Sequence, residues 1–126
     1  MKIEYNIEKI EDMYFDLQLT FKTRELESKI DFALIDDNIE KFVNFINKIH
    51  VSFINDHQAQ YDEYINIHND DGYTVVISYI KDTIKIIHNL VKFYFKYIAK
   101  ILLTFMEIKE YLEKRINFLI APLMHD

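Results

Sequence analysis

Apolar and polar residues alternate from the start of the chain. Ile3, Tyr5 and Ile7 fall on one side, Lys2, Glu4 and Asn6 on the other. After a charged break at residues 8–12 the alternation resumes, with Met13, Phe15, Leu17, Leu19 and Phe21 set against Asp16, Gln18, Thr20 and Lys22. A period of two over this length is that of a half-buried strand. Residues 29–35 predict a third short strand with Ile30, Phe32 and Leu34 inward. The connections are too short for a crossover, so the three strands are expected to be antiparallel neighbours.

The period then changes. Asp36 or Asp37 suits a helix N-cap, and Ile39, Phe42, Val43, Ile46, Ile49 and Phe53 follow at helical spacing. Glu40, three residues after Asp37, completes a capping-box pattern, which places a helix at about 37–54. Two more strands, 61–68 and 73–80, flank Asn69-Asp70-Asp71-Gly72. The chain's one glycine thus falls where a tight hairpin favours positive φ.

From residue 82 to 118 there is neither Gly nor Pro, and the lysines at 81, 85, 92, 96 and 100 fit a helical arc of roughly 100°. Nearly all other positions up to Met106 are apolar. The expectation is one long helix with a lysine stripe, possessing apolar surface on most of its circumference. The stripe loses phase after Glu107, which marks a possible break into helices at 82–106 and 107–119. The predicted fold is α+β: a mostly antiparallel sheet of about five strands, in the order β-β-β-α-β-β-α, with a long C-terminal helix. The alternation at 13–22 and the hairpin at 61–80 exclude an all-α bundle.

Size sharpens one consequence. A helix over 82–118 spans about 55 Å, whereas a compact domain of this length is about 35 Å across. Such a helix breaks or projects against another copy, so a homo-oligomer through residues 82–118, most simply a two-fold dimer, is expected. The longest uncharged run in this segment, 101–106, is far short of a membrane span.

Composition adds bounds. The chain has 126 residues, half of them hydrophobic, which suits a single domain over 1–126. It divides into an acidic sheet-plus-helix part, 1–80, and the apolar helix with its lysine stripe, 81–126. Residues 1–80 hold seven Lys/Arg and sixteen Asp/Glu, a net of −9; residues 81–126 hold eight and five, a net of +3. The acidic part repels phosphate and excludes general nucleic-acid binding there, while favouring a basic protein partner. With no cysteine, disulfides and thiolate chemistry are excluded, and a reducing, cytoplasmic compartment is expected. No secretory signal pattern opens the chain. Twenty-one isoleucines, with abundant Lys, Asn, Tyr and Phe, suggest an AT-rich source such as a phage, mobile element or low-GC bacterium.

Candidate chemistry is sparse. One glycine rules out glycine-rich nucleotide loops, and no nucleophile-elbow, HExxH or EF-hand pattern occurs. His57, His68 and Asp70 are the best metal candidates, because imidazole and carboxylate suit divalent ions. They match no fixed ligand spacing, and Asn, Asp and His are ordinary turn residues. Neither a metal nor a cofactor is therefore assigned. His50, His57 and His88 read as surface or rim histidines. Lys85, Lys92 and Lys96 are candidates for binding an anion, such as a nucleotide signal, at a subunit interface. Asp62, Glu63, Asp70 and Asp71 are candidates for partner binding. Tyr61, Tyr64, Tyr73 and Tyr79 surround the hairpin and read first as strand formers.

In its size, acidity, lack of cysteine and AT-rich style, the chain loosely resembles toxin-immunity and phage-encoded inhibitor proteins, a likeness of composition without matched residues. The functional expectation is a small non-enzymatic interaction protein that binds and inhibits a partner. An oligomeric protein sequestering a small anion is the alternative, and a metal-dependent hydrolase the third.

Overall fold

The computed structural model describes residues 2–54, 63–68, 74–80, 83–88, 91–96 and 98–116. The first three strands, β1 (Lys2–Glu11), β2 (Tyr14–Lys22) and β3 (Glu27–Ile35), form an antiparallel sheet in the order β1-β2-β3. Their alternation is realised over most positions, although Met13 falls in the turn before β2 and Thr20, on the polar side, is buried. Phe15, Leu17, Leu19, Ile30 and Leu34 are buried, while Asp16, Lys29 and Asp31 face solvent. The charged residues at 8–11 do not end β1. They lie on an edge strand, where charge is tolerated, and the pairing with β2 shifts register between Lys9 and Glu11.

The chain then reverses at Met13, whose φ is 62°, and turns again at Asp36, whose φ is 50°. The Asp36 N–H donates to the Met13 carbonyl at 2.9 Å, tying the two corners together. Helix α1 (Asp37–Ile54) follows. It buries Ile39, Phe42, Val43, Ile46 and Ile49 of the expected stripe, while Phe53, in its last turn, is exposed. Asp37 and Glu40 place negative charge in its first turn, where the helix dipole favours it.

The second half departs from the sequence reading. Strands β4 (Glu63–His68), β5 (Thr74–Ile80), β6 (Thr83–His88) and β7 (Val91–Phe95) form a second antiparallel sheet in the order β4-β5-β6-β7. The segment expected to be one helix from 82 to 118 is therefore a pair of strands followed by helix α2 (Ile98–Arg115). The fold remains α+β with a C-terminal helix, but the described residues hold seven strands in two sheets instead of about five in one.

The physical reason lies in residues 83–95. Ile84 and Ile86 are buried while Thr83, Lys85 and Ile87 are half-buried, a period of two that the lysine spacing masked. Thr, Ile, Val, Phe and Tyr dominate both strands, and these types fit a pleated sheet better than a helix. The lysine stripe is thus not one helix face: Lys85 lies on β6, Lys92 on β7, Lys96 just beyond β7 and Lys100 on α2.

No break occurs near residue 107. Helix α2 runs through it, burying Ile98, Ile101, Leu102, Phe105, Ile108 and Leu112. The change of phase near Glu107 needs no break, because the lysines before Ile98 never belonged to this helix. Its 18 residues span about 27 Å, which fits within the expected diameter of about 35 Å. The length argument for oligomerisation through 82–118 therefore falls.

Aromatic contacts join the layers. Phe42 of α1 meets Phe105 of α2 edge-on, with ring centroids 5.6 Å apart. Phe15 of β2 meets Tyr111 of α2 at 6.0 Å. Phe21 of β2 contacts Phe93 and Phe95 of β7, at 5.3 and 4.8 Å, linking the two sheets. α1 packs on β3, β4 and α2, and α2 packs on β1. Buried residues from both sheets and both helices form a single cluster. Among the described residues, no helix is long and apolar enough to cross a membrane.

Candidate functional site

Because both helices and the shared core take the inward face of each sheet, the outward faces are where the described elements leave strand residues to solvent. On the first sheet, antiparallel register sets the outward positions side by side in rows. Lys2, Lys22 and Glu27 form one row; Glu4, Thr20 and Lys29 the next; then Asn6, Gln18 and Asp31; then Glu8, Asp16 and Ala33.

Charge is segregated along these rows. At one end Glu4 accepts from Lys22 at 3.1 Å and from Lys2 at 3.2 Å, and Lys29 lies 3.7 Å from Glu27. Glu4 is held below the usual carboxylate range, first by the hydrogen bond from Lys22 and then by that from Lys2. At the other end Glu8, Asp16 and Asp31 gather. Gln18 donates to Asp31 at 2.9 Å, but no described Lys or Arg forms an ion pair with these three carboxylates. Asp16 is raised above the usual range, first by partial burial and then by the charges of Asp31 and Glu8. The sequence reading missed this cluster because register, which brings residues 8, 16 and 31 together, is not visible in any local window. The signal available was a polar position at period two, Asp16 and Asp31, in two predicted strands, while Glu8 fell in the charged break expected at residues 8–12.

The second sheet carries the opposite sign. Its outward rows are Asn66, Val76, Ile87 and Lys92, and beside them Tyr64, Ser78, Lys85 and Tyr94. None of these eight residues is acidic. Lys85 and Lys92 are diagonal neighbours on adjacent strands, and the Lys85 Nζ lies 5.7 Å from the centre of the Tyr94 ring. Tyr64 is 67% exposed and Tyr94 58%. So the structure brings two of the three candidate lysines onto one sheet face, with Lys96 exposed just past the end of β7.

The remaining candidates divide. Glu63 pairs with Tyr79 and His68 with Thr74 in the β4–β5 ladder. Asp62, Asp70, Asp71 and His57 lie outside the described residues. Among the described residues no group of three or more His, Asp and Glu is arranged to hold a metal ion. His50 on α1 and His88 on β6 are both half-buried.

On the inner side of the first sheet, Tyr5 faces the charge of Glu107 of α2. Its hydroxyl is held above the usual range, chiefly by burial and then by the charge of Glu107. This contact fastens α2 to the edge strand β1. Comparison with protein families, with characterised proteins and with solved structures finds no match.

Proposed function

We propose that the chain is a small non-enzymatic interaction protein that binds and inhibits a basic partner protein through the acidic end of its first sheet. It would act in the cytoplasm, in the manner of immunity proteins or phage-encoded inhibitors. The observation that carries the reading is the convergence of Glu8, Asp16 and Asp31 on an outward sheet face, with Asp16 raised first by partial burial and then by its two neighbours. Carboxylates fixed on three paired strands keep their positions without further ordering cost. Lysines or arginines of a partner would relieve the repulsion among them and steer its approach. Asp62, Glu63, Asp70 and Asp71 belong to the same acidic part of the sequence and are proposed as further partner-binding residues.

The test is affinity capture from cells that express the protein, comparing it with the triple variant Glu8→Lys, Asp16→Lys, Asp31→Lys. The reading predicts a basic protein retained in stoichiometric amount, released by salt, and lost with the variant. Capture that is identical for both chains would contradict it.

A second reading is favoured by the face of the second sheet. Lys85, Lys92 and Lys96 would hold a small anion such as a nucleotide. Titration calorimetry with nucleotides, repeated on Lys92→Glu and Lys96→Glu, checks it; affinity unchanged in both variants would remove it.

A further inference from the structure

The two sheets end in edge strands of different character. β1, the outer edge of the first sheet, carries Lys2, Glu4, Glu8, Lys9 and Glu11, has a register irregularity, and packs against α2. Charge and irregularity of this kind protect an edge from pairing with another chain. β7, the outer edge of the second sheet, has one charged residue in five, Lys92. Among the described residues it pairs with β6 alone. Val91 occupies an inward register position, opposite His88, yet is 52% exposed, and Tyr94 is 58% exposed. Among the described residues β7 therefore combines an unpaired backbone edge with exposed apolar side chains.

The sequence of β7 also selects how a second copy would fit. Antiparallel pairing of a strand with its own copy about a two-fold axis preserves the inward and outward faces only when the axis passes a residue, because paired side chains share a face. Three such centres keep most of the strand paired. Centring on Lys92 sets Lys92 against the partner's Lys92. Centring on Tyr94 sets Lys92 against the partner's Lys96. Both oppose like charges, which destabilises a cross-strand pair. Centring on Phe93 opposes none. It sets Lys92 against the partner's Tyr94 on the outward face, Val91 against the partner's Phe95 on the inward face, and Phe93 against the partner's Phe93. Each Lys92–Tyr94 pair occurs twice and is of cation–π type, as Lys85 and Tyr94 already are within one chain.

We propose that two copies of this chain associate edge to edge through β7, antiparallel about a two-fold axis at Phe93. The two four-stranded sheets then become one sheet of eight strands. The surface is distinct from the acidic end of the first sheet, so the inference stands independently of the partner-binding function.

The chain lacks cysteine, which makes register directly testable. Opposed residues lie with Cα atoms about 4.5–5.5 Å apart, within disulfide range. Under the Phe93-centred register, two Lys92 residues of a dimer lie about 8 Å apart, two steps along the strand, beyond that range. The double variant Lys92→Cys, Tyr94→Cys is therefore expected to oxidise to a covalent dimer. The single variants Lys92→Cys and Tyr94→Cys should remain uncrosslinked. Sedimentation of the unmodified chain should give twice the 15.3 kDa chain mass. Tyr94→Lys, which opposes lysines across the axis, should raise the dimer dissociation constant about threefold or more. Adding Lys92→Glu to that variant should restore association, with circular dichroism confirming the fold in each. A monomeric mass at all concentrations would overturn the proposal. So would crosslinking by either single variant, or a dimer indifferent to Tyr94→Lys.

Discussion

Asp16 carries a cost to the fold that the proposed partner contact would relieve. Its carboxyl is raised above the usual range by partial burial and by Asp31 and Glu8. A raised carboxyl favours the protonated form in the fold, so its contribution is most favourable below the unfolded value near 4. That contribution is lost as pH rises through the folded value. Asp16→Asn should therefore stabilise the protein slightly at neutral pH and have no such effect at pH about 3. Because the side chain is exposed, the gain is about 0.5 kcal/mol or less. Urea denaturation at the two pH values checks this. A residue whose removal stabilises the fold while weakening partner capture is one kept for contact. In the core the balance reverses. Phe105 is fully buried and meets Phe42. Phe105→Ala should cost about 3–5 kcal/mol, read as a fall in the denaturation midpoint.

At the scale of elements, the segment from 83 to 95 decides the architecture. Ile86 is buried and Ile87 half-buried on opposite faces of β6. Ile86→Asp should abolish cooperative folding, and Ile87→Asp should leave a cooperative transition within about 1 kcal/mol of the original. Thermal unfolding followed by circular dichroism separates them; equal damage from both would contradict the strand assignment. Most of β1, and β2, β3, α1 and the pairing of β4 with β5, were legible, because each has a single clear period. β6 and β7 were not. Their connections to neighbouring strands carry no Gly or Pro, and lysines spaced by four and seven mimic a helical face. The same lysines satisfy a strand pair, in which Lys85 and Lys92 are brought to one face by register. Here β-branched and aromatic content was the better guide than the spacing of charges. The acidic cluster was hidden for a related reason: residues 8, 16 and 31 become neighbours only after three strands are set in register.

Among the described residues, two sheet faces of opposite character flank one core. The net −6 charge does not show that carboxylates cluster on one sheet face and lysines and tyrosines on another. A uniformly acidic surface would serve solubility alone, whereas segregation gives the molecule direction in an approaching partner's field. The account predicts that a basic partner meets the first sheet and leaves β7 available for a second copy. The most direct test of the central claim is quantitative affinity capture under low and high salt, on the natural chain and the Glu8→Lys, Asp16→Lys, Asp31→Lys variant, with circular dichroism verifying that both are folded. The prediction is a single basic protein, near one copy per chain at low salt, released at high salt and absent from the folded variant. The same proteins retained on both chains in equal amounts would contradict it.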